Sequence, residues 1–119
     1  MSTYRKLIIW QKAMDLVTKT YNSTKNFPKE EIFGLTSQIR RCSISVPSNI
    51  AEGHGRESNK EYLRFLNISI GSLFELQTQL EIAKNIEYLT DKDFNNLYED
   101  SRELERMLVS FINKIKERK

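Results

Sequence analysis

Apolar residues recur along this chain at steps of three and four, the spacing that returns a side chain to one face of an α-helix. Between Tyr4 and Thr24 such a stripe runs through Leu7, Trp10, Ala13, Met14, Val17 and Tyr21. A second follows Ile32, Leu35, Ile39, Cys42, Val46 and Ile50. A third follows Tyr62, Phe65, Leu66, Ser69, Leu73, Leu76, Leu80 and Ala83, and a fourth follows Phe94, Leu97, Leu104, Leu108, Phe111, Ile112 and Ile115. Strands would alternate at steps of two and need many more turns, so the pattern predicts four long helices.

The breaks between stripes carry helix punctuation. Asn26 and Pro28 close the first helix, and the second is expected over about residues 29–52, with Glu30 and Glu31 near its positive end. Pro47 lies inside that helix and removes a backbone donor. Either a kink, relieved by the hydroxyl of Ser43 or Ser45, or a division into two helices would accommodate it. Gly53 and Gly55 offer the left-handed conformation that often ends a helix. Ser58-Asn59-Lys60-Glu61 reads as a capping box opening the third helix, and Thr90 caps the fourth, whose first turn holds Asp91 and Asp93. Gly71 sits within the third helix at a cost of about 1 kcal/mol relative to alanine, which points to a packing reason for it and for Ser72.

Short connections between long amphipathic helices predict an all-α fold, an antiparallel up-down-up-down four-helix bundle with helices inclined by about 20°. With 119 residues, the chain is expected to form one domain over residues 1–119. Ile8, Ile9, Leu16, Ile44, Ile68, Ile70 and Phe74 lie off the main stripes. They either widen the core or form a subunit interface, so a homo-oligomer is expected.

Composition changes this picture by removing chemistry. The single cysteine, Cys42, permits no internal disulfide and no cysteine zinc site, and its place on an apolar stripe makes it a small buried hydrophobe. Leu7–Trp10 is far shorter than a signal peptide's apolar region, and no stretch has the length of a membrane span, so the expected location is the cytoplasm. Di-metal bundles use paired Glu-x-x-His motifs, whereas this chain has one histidine, His54. Some small helical RNases carry an arginine just upstream of such a histidine; here Pro47, Ser48 and Asn49 hold those positions. No phosphate-cradling glycine motif occurs, and no enzyme activity, cofactor, metal or small-molecule substrate is expected.

Net charge is +3, but residues 1–60 carry ten Lys/Arg against five Asp/Glu, while residues 61–119 carry nine against eleven. Arg40, Arg41, Arg56, Lys60 and Arg64 are expected to converge on one end of the bundle as a phosphate-binding surface. The alternative keeps them within the chain: Lys60 and Arg64 would pair with Glu57 and Glu61, and Arg40 or Arg41 with Glu75. No aromatic platform for single strands accompanies these cations, so nucleic-acid binding would act through backbone charge and shape.

Ile9-Trp10-Gln11-Lys12-Ala13, Phe27-Pro28-Lys29-Glu30-Glu31, Gly34 to Arg41, Ser45 to Gly53 and Gly71 to Leu76, taken in order, form a pattern that spans nearly the whole chain. It resembles the bacterial four-helix bundle proteins named for the 23S ribosomal RNA intervening sequences in which some are encoded. The resemblance implies a ring-like homopentamer and kinship with the accessory variability determinant of diversity-generating retroelements, a basic bundle that binds a reverse transcriptase and nucleic acid. Arg40, Arg41, Asn49, Glu52, Gly53, Arg56 and Glu75 match its recurring positions. Asn49 and Glu52 are expected to fix the kinked end of helix two, and Glu75 to meet an arginine inside the protomer or across an interface. Cys42 replaces an alanine common in such proteins, and His54 is not characteristic of them. The expected function is therefore a non-enzymatic oligomeric RNA-associated or ribonucleoprotein accessory bundle, with a protein-interaction scaffold as the alternative.

Overall fold

A computed structural model of the protein describes residues 3–118, and among them there are four long helices and no strand. The first helix, α1, spans Ile8–Thr24. A separate 3-10 turn, Tyr4–Lys6, precedes it, because Leu7 is extended (φ −72°, ψ 125°) and interrupts the helix expected to start at Tyr4. The buried face of α1 is Ile9, Ala13, Leu16, Thr20 and Thr24, so Ile9 and Leu16 belong to the core while Met14, placed in the stripe by spacing, is exposed. Threonine is what hid the true face. The hydroxyls of Thr20 and Thr24 donate to the carbonyls of Leu16 and Thr20 at 2.7 and 2.9 Å, so both residues satisfy themselves and can be buried like apolar ones.

Helix α2 spans Leu35–His54 and begins later than the periodicity suggests. Lys29–Glu31 forms a 3-10 turn, after which Glu31 reaches forward: its Oε1 accepts from the Leu35 amide at 3.1 Å and its Oε2 from the Tyr88 hydroxyl at 3.0 Å. This carboxylate caps α2 and leaves Ile32 and Phe33 outside the core, Phe33 almost wholly exposed. Pro47 is buried within α2, and the helix continues through it undivided. The Ser43 hydroxyl donates to Arg40 O at 2.8 Å, and the Ser45 hydroxyl lies 2.7 Å from that of Ser72. Neither serves the carbonyl that Pro47 leaves without a donor.

Helix α3 covers Asn59–Asn85 and α4 covers Asp91–Lys116. Ser58 Oγ accepts from the Glu61 amide, and Thr90 Oγ1 from the Asp93 amide, each at 3.1 Å. Glu61 itself turns to Arg64, so only half of the capping box forms. Glu87 (φ 66°) takes the left-handed position after α3 that glycine usually fills, which lets the Tyr88 amide return to Ala83 O at 2.8 Å.

Each helix contacts its two neighbours in chain order, and α4 returns to α1. Partners run in opposite directions. Ser69 donates to Val46 O at 2.8 Å while Gln79 reaches Gln38, and Lys19 meets Asp100 while Lys12 meets Glu103. The result is a four-helix bundle, 48 Å long and 23 by 21 Å across, around one core that includes Ile39, Ile50, Leu66, Leu73, Leu76, Leu80, Leu104, Leu108 and Ile115. At one end α1 and α3 begin while α2 and α4 finish, and that end carries the cations described next.

Candidate nucleic-acid interface

The turn from α2 to α3 is held by a close approach between helices. Gly53 is buried in the last turn of α2 against Tyr62 and Phe65 of α3. Among the described residues no glycine has a positive φ, so Gly53 and Gly55 do not end the helix by left-handed geometry as expected. Gly53 is there because it lacks a side chain. Its packing brings Arg56 and Arg64 to the ring of Phe65, their guanidinium carbons 4.7 and 5.0 Å from its centroid.

Each arginine has a carboxylate beside it, Arg56 with Glu52 at 3.7 Å and Arg64 with Glu61 at 3.4 Å, all four side chains well exposed. Such pairs contribute roughly 0–1 kcal/mol and exchange readily for a stronger anion. Lys60 forms no ion pair among the described residues, and Glu57 pairs with neither Lys60 nor Arg64. Across from Lys60 and Arg64, the end of α4 and the residues just after it close a cleft of about 490 Å³ that also holds Asn59, Glu61, Asn67, Lys116 and Arg118. Lys116 and Arg118 are far from Lys60 and Arg64 in sequence, and only the packing of the α4 end against the start of α3 brings them to one cleft.

Tyr62 forms the inner side of this end. Burial pushes its hydroxyl up to about 12, with the positive charge of Arg118 acting in the opposite direction. The hydroxyl lies 3.2 Å from His54 Nδ1, so the one histidine is engaged in the α2–α3 contact.

Arg40 and Arg41 do not join this group. They sit early in α2, about 20 Å along the helix from its His54 end at 1.5 Å per residue. Adjacent residues diverge around a helix, and the two arginines accordingly face different neighbours. Arg40 Nε donates to Thr24 Oγ1 at 2.9 Å and its guanidinium covers the Tyr21 ring at 4.6 Å, tying α2 to α1. Arg41 is exposed beside a groove of about 310 Å³ between α2 and α3, lined also by Cys42, Ser45, Ser72, Glu75 and Gln79.

Glu75 is exposed and forms no ion pair with Arg40 or Arg41 within the protomer, contrary to the intrachain pairing considered above. Asn49 is half-buried and donates to Ser45 O and Oγ at 2.8 and 2.9 Å, bracing α2 beside Pro47. Glu52 is exposed and serves Arg56. Cys42 is buried, with its thiol 3.4 Å from Gln79 Oε1; burial, with the charge of Glu75 adding, pushes it up to about 12. It remains a neutral thiol at any ordinary pH.

Charge is thus sorted along the bundle's length. The α2–α3 turn, the α1 start and the α4 finish hold Arg5, Lys6, Arg56, Lys60, Arg64, Lys114, Lys116 and Arg118 against Glu52, Glu57, Glu61 and Glu117. The opposite end holds Glu30, Glu31, Glu81, Glu87, Asp91 and Asp93 against Lys25, Lys29, Lys84 and Lys92. A net charge of only +3 therefore conceals one strongly cationic end.

Fold and charge together define a four-helix bundle protein with one basic end. The chain belongs to the 23S rRNA-intervening sequence protein family, whose sequence model matches residues 5–110. It is also similar to a crystal structure from Bacteroides thetaiotaomicron described as a protein of unknown function from the S23 ribosomal protein family. The two share 25% identity with a TM-score of 0.80, over 88% of this chain and 98% of that one. No curated protein matches the chain.

Proposed function

We propose that this chain is a non-enzymatic, cytoplasmic, oligomeric bundle that associates with RNA, or with a ribonucleoprotein enzyme, through its basic end. The observation that carries this reading is the cleft where Lys60 and Arg64 of α3 face Lys116 at the end of α4 and Arg118 just beyond it, with Arg56 nearby. Cations on two helices flanking a trough suit a phosphodiester backbone better than a single anion. Family membership supports the choice of RNA, and the absence of a base-stacking platform among the described cations favours structured RNA read by shape. No helix of the described residues is long and apolar enough to cross a membrane.

Five copies in a ring would sum to about +15 and would present the cleft repeatedly, so a weak contact per subunit becomes a strong one in the assembly. The test is binding to a structured ribosomal RNA fragment across a salt series. Affinity is expected to fall steeply with salt, and the Lys60→Glu/Arg64→Glu variant is expected to flatten the slope. Salt-independent or absent binding by the intact oligomer would refute the reading.

A second reading, a protein-interaction scaffold, is favoured by one specific feature. Trp10, Met14 and Val17 of α1 form an apolar groove of about 310 Å³ with Ile44, Pro47 and Ala51 of α2. Met14 and Ile44 are each about two-fifths exposed. We propose that this groove serves self-assembly, which is compatible with either reading.

A further inference from the structure

The seam between α1 and α4 has two unlike halves. Toward the middle of the bundle it is polar and closed by ion pairs, Lys12 with Glu103 at 3.0 Å and Lys19 with Asp100. Toward the basic end it opens into a groove of about 570 Å³ whose floor is apolar, with Leu7, Ile8 and Ile9 facing Met107 and Phe111. Ile8 is 56% exposed there. Its rim carries Lys6, Arg106 and Lys114, and no carboxylate lines it. None of these three cations forms an ion pair among the described residues, whereas the lysines of the neighbouring half-seam both do.

We propose that this groove is a docking site for an acidic protein segment that presents apolar anchors at helical spacing. The floor and the rim make different demands. An exposed isoleucine between a half-buried methionine and phenylalanine calls for an apolar side chain to cover it, which a phosphate backbone does not supply. Three unneutralised cations around it call for carboxylates flanking that side chain. A concave channel between two helices accepts an amphipathic helix or extended segment in the manner of other helix-in-groove contacts, while a membrane would meet a convex face. The site is separate from the Lys60–Arg64 cleft and does not depend on RNA binding.

The test uses two synthetic peptides with the same leucine spacing, one with glutamate and one with lysine at the remaining positions, titrated into the full-length protein. Methyl NMR of Ile8, Ile9 and Met107 reports on the groove. The acidic peptide is expected to shift these methyls saturably and to bind at least about tenfold more tightly than the basic one, with affinity falling as salt rises. Ile8→Asp is expected to abolish the shifts, and Lys114→Glu to weaken binding about tenfold, each with helical content and RNA binding by Ile8→Asp unchanged. Equal affinity for both peptides overturns the proposal, as does an acidic-peptide response that survives Ile8→Asp. Methyl shifts produced by anionic phospholipid vesicles but not by the peptide would give the groove to a membrane. Shifts produced by protein concentration alone would give it to a second copy.

Discussion

Gly53 and Phe65 approach so closely that a Cβ built on Gly53 would lie 2.8 Å from the Phe65 Cβ, with Tyr62 Cδ1 3.0 Å away on the same side. The Phe65 Cβ is fixed to the backbone of α3 and the Tyr62 carbonyl oxygen lies 3.3 Å away, so neither can swing aside as the tip of a long side chain would. Gly53→Ala must separate α2 from α3 and disturb the ring on which Arg56 and Arg64 rest. The expected loss is about 2 kcal/mol, in the range typical of overpacked cores, measured as a lower denaturant midpoint at unchanged slope. RNA affinity should fall with it, since the spacing of the cations depends on this contact.

Gly71 behaves oppositely. A Cβ there meets nothing within 4 Å, so within the protomer the glycine carries the helix-propensity cost with no packing return. Gly71→Ala is expected to raise stability by about 1 kcal/mol in chemical denaturation of the monomer. Should the same variant also lose mass in sedimentation, Gly71 would mark a close approach between subunits; unchanged mass places it on a free surface.

The contrast between these glycines shows what the sequence could and could not disclose. Four helices, their caps at Ser58 and Thr90 and most of the α2, α3 and α4 core faces were readable, because apolar spacing and capping chemistry are local. The face of α1 was not, because that helix has two apolar stripes. Which one turned inward was decided by Thr20 and Thr24, polar by composition yet self-satisfied when buried. The glycines misled for a related reason: the left-handed turn fell on Glu87, and the glycine requirement at Gly53 came from another helix. At the basic end, the α2–α3 cations were legible as a group by proximity in sequence. Lys116 and Arg118 were not, since their relation to Lys60 exists only once α4 lies beside α3.

The division between the two arginine groups can be measured directly. Arg40 is held by Thr24 and covers Tyr21, so Arg40→Ala should cost about 1 kcal/mol of stability through lost packing and one hydrogen bond. It should leave RNA affinity within about twofold once the protein is folded. Lys60→Glu combined with Lys116→Glu should do the reverse, leaving stability nearly unchanged and reducing affinity by at least about tenfold at low salt. Stronger RNA loss from Arg40→Ala than from the cleft variant would move the site to the middle of α2.

Stability should decline at alkaline pH through Cys42 and Tyr62. Both have folded pKa values raised from their ordinary 9.0 and 10.0 to about 12, chiefly by burial. Below the ordinary values both groups are neutral in folded and unfolded chains, and this stability is intact. As pH rises through the window from about 9 to about 12, the unfolded chain releases protons that the folded one retains, and the stability is lost. A progressive fall in stability is expected across that window, beginning with Cys42 and steepening as Tyr62 joins it. Denaturation midpoints measured on both sides of it should show the fall, and Cys42→Ala should remove the part that begins near 9.0.

The assembly proposed at the α1–α2 groove leads to the last test. The stripe of Trp10, Met14 and Val17 has helical spacing as regular as that of the buried face, yet only Trp10 packs against the core, and Met14 stays exposed beside Ile44. Within one chain α2 covers this second face only in part, which leaves Met14 and Ile44 open to a partner from outside. A carboxylate introduced on the outer face would leave the protomer untouched but would be desolvated in an assembled interface, at a cost of several kcal/mol without a partner. Met14→Glu and Ile44→Glu are therefore each expected to give monomers in sedimentation velocity, with native helical content and a native denaturant midpoint at low protein concentration. Retention of native mass by both variants would show that the groove is not the subunit contact.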